Sequence, residues 1–372
     1  MRYRAISVLI ILFLLCGCWD STNIEDLNMA IGYAVDKGDN GKKLKVSMQV
    51  LVPQKIDQQA NVKDPTKIIE TSGDSVHQIF RTTALTSHRI FAQQLRISLF
   101  SQELINENQF DLVINQFIRD NETRRDNLVF MTPENPSEVL SIDDAGQPAS
   151  TTIYDIAKNA KSSTRLFPAV SLGNISSYMQ NNVSFAVPKI SIEKGKLMVD
   201  GASIIKKKRF LTNISPLGVQ AYNLLTGEVQ GGVIEFEHEH SIYSFEIYKL
   251  KQSIQTSRTK SGTYRFDVSV SIDGRLSEDW NERENAFDEK YLNEIESAVK
   301  KNIESSVIDF VHDLKNMKVD ICGFYTKARI SYPQEFKKEA KHWDDTFSEA
   351  DIHYKADVKI RDFGTKGATQ SS

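Results

Sequence analysis

The chain has 372 residues, 40% of them hydrophobic and 26% charged, with a formal net charge of −3. That composition is of an ordinary water-soluble globular protein rather than a disordered, fibrous or wholly membrane-embedded one, and its length exceeds one comfortable core, so two or three domains are expected. Three cysteines rule out a disulfide-built scaffold, and so slight a charge gives no electrostatic footprint for nucleic acid.

The first element is "MRYRAISVLIILFLL", with Arg2 and Arg4 ahead of an apolar run. This is the layout of a bacterial secretory signal, and it is short of the about 20 apolar residues a membrane-spanning helix needs. It ends in Leu15-Cys16-Gly17-Cys18, which reads as a lipobox: an aliphatic residue, two small ones, and a cysteine whose thiol takes a diacylglyceryl group before cleavage. Residues 1–17 would leave as the signal peptide and Cys18 would become the lipidated first residue. The competing readings are an ordinary cleaved signal or an uncleaved anchor. Trp19 and Asp20 follow directly, and an indole at that position suits a membrane-proximal or partner contact. Only Cys322 then remains as a free thiol, so no disulfide forms within the mature chain.

Downstream, "MAIGYAV" (Met29 to Val35) and "LKVSMQVLVP" (Leu44 to Pro53) flank a turn-rich "DKGDNGK" and predict a β-hairpin. Val76, Ile79, Phe80 and Leu85 stand at helical spacing, and "RIFAQQLRISLF" (Arg89 to Phe100) returns to strand character. A helix is expected around Glu103 to Arg119, then a strand at Leu128 to Met131. Turn residues break the segment from Thr132 to Ser150, and weakly helical pieces follow to Gln180. An N-terminal α+β domain is placed at 18–190, and a C-terminal domain at 191–366 with a possible internal division near 275, leaving a polar tail at 367–372.

In the second half, "GASII" and "RFLTN" flank the basic run Lys206 to Arg209 as a hairpin whose tip is either solvated or in contact with anionic lipid headgroups. Ser215-Pro216 opens a helix that Gly227 closes. Three strand candidates follow at Gly232 to Glu239, Ile242 to Gln252 and Thr263 to Ile272. The longest helix spans about Asn285 to Met317, with one apolar stripe through Tyr291, Ile295, Ile303, Val307 and Leu314, and "ADVKI" is the last strand. Irregular alternation of strands and helices favours an α+β chain with mixed or antiparallel sheets over a doubly wound one.

Chemistry is sparse. In "EFEHEH" (Glu235 to His240), His238 and His240 would share a strand face, but no third metal ligand is evident, and a solvent-facing strand is the plainer reading. Cys322 sits among apolar residues as a buried, inert thiol. Asp143-Asp144 and Asp344-Asp345 are adjacent and diverge, as loop and cap residues do. "FIRDNETRRDNLVF" (Phe117 to Phe130) interleaves Arg119, Arg124 and Arg125 with acids, as a salt-bridged turn or a partner-binding edge. No glycine-rich phosphate loop, G-x-S-x-G or H-E-x-x-H occurs. Neither a catalytic residue, a cofactor nor a metal site is assigned.

Several pieces together resemble the Ger(x)C family of spore germination lipoproteins, the C subunits of nutrient germinant receptors. They are "GCWDS" with Ile24 and Glu25, "AIGYAVD", "FIRDNETRRDNLVF", "VDGASIIKKKRFLTNISPLGVQAYNLLTGE" and "KVDICGFYTKARISYPQEFKKEAKHWDDTF". They run in order from Cys18 to about Gly364. Two departures are Tyr325, where the family often has glycine, and Phe336, where it often has tryptophan. The resemblance implies a non-enzymatic, lipid-anchored subunit on the outer face of the spore inner membrane, assembled with two integral-membrane partners, one of them resembling an amino-acid transporter. The fold it implies is multi-domain α+β with mixed sheets flanked by helices. Two other classes share the export signal. A solute-binding lipoprotein would need two α/β lobes with a ligand cleft at the strand carboxyl ends, and a hydrolase would need a nucleophile, base and oxyanion site converging.

Overall fold

The computed structural model describes residues 27–51, 66–86, 89–106, 110–119, 123–144, 146–281 and 288–363. Strands β1 (Leu27–Lys37), β2 (Leu44–Leu51), β3 (Thr66–Gly73), β4 (Arg89–Phe91), β5 (Ile97–Ser101), β6 (Leu128–Thr132), a two-residue pair β7 (Asp143–Asp144) and β8 (Gln147–Pro148), β9 (Phe185–Glu193), β10 (Lys196–Lys206) and β11 (Arg209–Ile214) fill the first part of the chain. Between them lie helices α1 (Val76–Thr86), α2 (Gln102–Asn106), α3 (Phe110–Arg119), α4 (Pro136–Ser141), α5 (Ala149–Lys158) and α6 (Leu172–Gln180). Nine of these strands form one mixed sheet in the order β11-β10-β9-β6-β5-β1-β2-β3, with β4 beside the start of β1.

The predicted first hairpin is present: β1 and β2 pair antiparallel from Lys37↔Leu44 to Met29↔Leu51. The run Arg89 to Phe100 is two strands rather than one. Both lie parallel to β1, β4 against Leu27–Met29 and β5 against Gly32–Val35, with a tight turn between them closed by Leu95 N donating to Ala92 O. The helix expected over Glu103 to Arg119 is likewise two, α2 and α3. In α1, Val76 and Ile79 are buried but Leu85 is 85% exposed; the fully buried Thr83 takes the inner position and donates its hydroxyl to Ile79 O.

Both faces of this sheet are covered, which is why β5 (Ile-Ser-Leu-Phe-Ser) is buried at every position. On one face Tyr33 stacks on Phe117 at 4.3 Å and Phe100 meets Phe110 edge-on at 5.5 Å. On the other, Ile97, Leu99 and Phe130 pack against Val139 and Leu140 of α4 and Ile153 of α5. Gly32 is fixed by that second layer: at the bulge in β1, a Cβ would lie 2.0 Å from Ser150 Oγ at the start of α5.

The sheet runs straight through residue 190. β9 and β10 are one hairpin spanning that position, and β11 adds the outer edge up to Ile214. Helix α7 (Pro216–Thr226) then begins as expected, with Ser215 Oγ accepting from Gly218 N at 3.2 Å, Pro216 in the first turn, and Gly227 in the left-handed conformation at φ +75°.

A second, four-stranded sheet follows in the order β12 (Gly232–His238), β13 (Ser241–Arg258), β14 (Tyr264–Asp279) and β15 (Asp351–Asp362). The first three are an antiparallel meander, and position 275 lies inside β14. β15 returns parallel to β14 after four helices: α8 (Glu289–Asn316), α9 (Phe324–Ser331), α10 (Pro333–Glu339) and α11 (Trp343–Glu349). The stripe on α8, Tyr291, Ile295, Val299, Ile303, Val307, Phe310, Val311 and Leu314, is buried inside the protein, in one core with Phe245, Phe266, Val268 and Val270 of the sheet. The opposite sheet face carries ion pairs, among them Arg265–Asp267, Arg275–Glu246 and Arg361–Asp273. The architecture is α+β, with two sheets flanked by helices.

Candidate functional site

The residues the sequence singles out for anchoring, Leu15, Cys16, Gly17, Cys18, Trp19 and Asp20, lie outside the described residues. Among the described residues a cleft of ≈ 600 Å³ opens at the seam between the sheets. One wall is the loop Phe167–Val170, helix α6 and the start of β9; the other is α7, Glu228, Gln252 and Ile254 of β13, and the segment Asp320–Arg329.

Asp320 organises that second wall. Its carboxylate is buried and accepts four bonds: from Cys322 N at 3.1 Å and Phe324 N at 3.3 Å on one oxygen, and from Tyr325 N at 2.5 Å and Trp343 Nε1 at 3.0 Å on the other. Phe324 N and Tyr325 N are among the amides left unpaired where α9 begins, and Gly323, at φ +82°, turns the chain so that Cys322 N joins them. Burial lifts the Asp320 carboxyl above the ordinary carboxylate range, and the four donors oppose the lift. Burial first, then the Asp320 charge, raises the neighbouring Cys322 thiol well above the usual range.

Aromatic rings line the cleft on both sides, Phe167 against Tyr222 at 4.6 Å and Tyr178 against Phe185 at 5.4 Å. Burial, with Glu228 nearby, raises the Tyr178 phenol, and burial dominates the larger rise at Tyr222. Arg329 Nη1 reaches across to Asn181 Oδ1 at 3.4 Å, and Glu228 and Lys327 complete the charged lining. Aromatic, amide and charged side chains thus line the cleft.

The two departures from the family pattern pack on one another: Tyr325 meets Phe336 edge-on at 4.7 Å, and both contact Trp343. The basic tip is not simply solvated. Lys207 and Lys208 form its left-handed turn, Lys206 Nζ donates to Met317 O at 2.9 Å and lies 3.6 Å from Asp344, and Lys208 pairs with Asp111 at 2.8 Å. The tip therefore ties β10–β11 to α11 and α3, while Lys207 stays exposed. In "FIRDNETRRDNLVF", Arg124 pairs with Asp126, and the backbone carbonyls of Arg125 and Asn127 accept from Gly173 and Leu172 at the start of α6. That segment holds a helix in place. Among the described residues no helix is long and apolar enough to cross a membrane.

Two family models match the chain: the spore germination protein N-terminal domain over residues 20–192, and the spore germination B3/GerAC-like C-terminal domain over residues 200–364. Spore germination protein A3 of Bacillus subtilis (strain 168) is 41% identical over 375 aligned positions, covering all of both chains. Spore germination protein B3 of the same organism is 31% identical over 96% of each. The crystal structure of the GerBC protein superimposes with a TM-score of 0.63 at 27% identity, covering 91% of this chain and all of that one.

Proposed function

The chain belongs to the Ger(x)C family of spore germination proteins, and from that premise we propose that it is the lipid-anchored, non-enzymatic C subunit of a nutrient germinant receptor. Cys18 carries the lipid, with Leu15, Cys16 and Gly17 read by the processing enzymes. The folded body stands on the outer face of the spore inner membrane beside two integral-membrane subunits, one of them resembling an amino-acid transporter. The observation that carries the reading is the end-to-end correspondence with spore germination protein A3, whose alignment takes in the N-terminal segment as well as both sheets.

Physical support comes from three places. A diacylated cysteine with a further acyl chain holds a protein stably on a bilayer. Leu27 follows Cys18 by nine residues, which at no more than about 3.6 Å per residue keeps the start of β1 within about 32 Å of the anchor. Trp19 and Asp20 fall inside that interval, where an indole favours the headgroup layer or a partner surface.

The test pairs a gene deletion with Cys18→Ala and follows refractility loss and dipicolinate release from purified spores across single nutrients and mixtures. Both strains should lose the response to one nutrient class while decoated spores stay viable under lysozyme. Trp19→Ala with Asp20→Ala should keep the protein on the membrane and weaken the same response. Normal germination with every nutrient, accompanied by a vegetative uptake defect, would overturn the reading in favour of a solute-binding lipoprotein.

A further inference from the structure

The acidic and histidine-rich run Glu235 to His240 has no part in the function above, yet the fold gives it a neighbour that the sequence does not. β12 stops at His238, so His240 is not on its face. Glu239 and His240, at φ +48° and +68°, form the two-residue turn into β13, in the geometry usually taken by Asn-Gly. That turn sets the His238 ring against the first turns of α8, where Nε2 lies 3.1 Å from Glu294 Oε1. Glu239 closes the group: one donor atom from each of His238, Glu239 and Glu294 lies within 4.8 Å of the other two.

We propose that His238, Glu239 and Glu294 form a site for a divalent transition-metal cation of the zinc class, clasping the β12–β13 turn to the N-terminal half of α8. One imidazole nitrogen and two carboxylate oxygens are a donor set zinc takes with three protein ligands, leaving a fourth position for water. Metal–ligand bonds of 2.0–2.2 Å place donors about 3.4 Å apart around a tetrahedral ion. The His238–Glu294 pair is near that spacing already. The third donor, no more than 4.8 Å from the other two, needs to close by at most about 1.4 Å, within the rotamer freedom of an exposed glutamate. An imidazole donor selects against calcium and magnesium, which take oxygen ligands.

The experiment titrates zinc chloride calorimetrically into the untagged full-length chain, held in detergent micelles after chelator treatment. Variants are His238→Ala, Glu294→Gln and Glu239→Asn, the last because asparagine accepts the left-handed turn while losing the carboxylate. Glu237→Gln, an exposed acid on the other face of β12, is the control. Wild type and the control should bind one zinc saturably. The three variants should bind at least tenfold more weakly, and only wild type and the control should melt at higher temperature as zinc is added. Calcium should do neither. All variants carry the same cysteines, so zinc taken up by thiols cancels in the comparison. Equal binding by wild type and His238→Ala, or no saturable binding by wild type up to about 1 mM zinc, corresponding to about −4 kcal/mol, overturns the proposal.

Discussion

Replacing Glu296 and Glu304, whose side chains are 14% and 26% exposed, by alanine should cost far more than such a change at surface glutamates normally does. β15 is the edge of the second sheet, and its outward N–H groups would face solvent with no strand beyond them. Instead α8 runs antiparallel alongside: Glu304 Oε1 accepts from Ala356 N at 2.9 Å and Glu296 Oε1 from Ile360 N at 2.9 Å, with Glu296 Oε2 also pairing Lys359. The spacing matches because eight helical residues rise about 12 Å and four strand residues about 13 Å. Each bond joins a charged acceptor to a backbone donor, and Ala356 is fully buried, so each is worth about 2 kcal/mol. The Lys359 pair adds little, since that lysine is 47% exposed. The two sites lie far enough apart to add, giving about 4 kcal/mol for the double variant, or a fall of about 5 °C in melting temperature for a cooperative unit of the whole chain's size. Circular dichroism melts of the full-length chain in detergent would measure it, and light scattering would show whether the bared edge now pairs between molecules. A double variant that melts within 2 °C of wild type and stays monodisperse would refute the claim that these carboxylates cap the edge.

Two further expectations concern the seam and its surroundings. Asp320→Ala strands four donors around a buried hole and should destabilise by about 3–5 kcal/mol, with Asp320→Asn intermediate because it keeps one accepting oxygen; guanidinium melts of both check the order, and an alanine variant as stable as wild type would dismiss Asp320 as the organiser. The Tyr264 phenol is pushed up from 10.0 to about 12 by burial and then by the Glu339 carboxylate, with Arg258 partly offsetting. A raised folded value means its contribution is fully present below pH 10 and is lost as pH rises towards 12. Urea midpoints at about pH 9 and about pH 11 should therefore diverge less in Tyr264→Phe than in wild type, and equal divergence would count against the assignment.

Elements encoded locally were legible in the sequence, and those encoded by distant contacts were not. Ser215, Pro216 and Gly227 delimit α7 because capping needs only neighbouring residues, and the single stripe of α8 shows in its spacing. β3 has no signature in the sequence because Thr-Lys-Ile-Ile-Glu-Thr-Ser-Gly, an edge strand of mixed exposure, alternates too weakly. Helices α9, α10 and α11 are short and hold together through the Tyr325, Phe336 and Trp343 rings and Asp320 rather than through a 3.6-residue stripe. By its spacing the run Glu235 to His240 predicts a strand with two histidines on one face. Its last two residues are a turn, and the ligand that matters, Glu294, lies on another element altogether. Nothing in the local sequence announces that Lys206 will find Asp344.

The same long-range bonding bears on where the chain can be divided. A cut near 190 falls within β9 and removes β10, whose Ala202, Ile204 and Ile205 are buried in the first core. A cut after Ile214 keeps that sheet whole but strands α7, which packs on β10 on one side and on α8 on the other. Its Asn223 Nδ2 donates to the carbonyls of Thr164 and Leu166, and its Gln220 Nε2 to Thr164 Oγ1, so the helix is also pinned to the loop that lines the cleft. Buried apolar residues from both sheets form one continuous core. Any single cut in this stretch therefore exposes apolar surface or strands buried amides on at least one fragment, because α7 contacts both segments that the family models match separately.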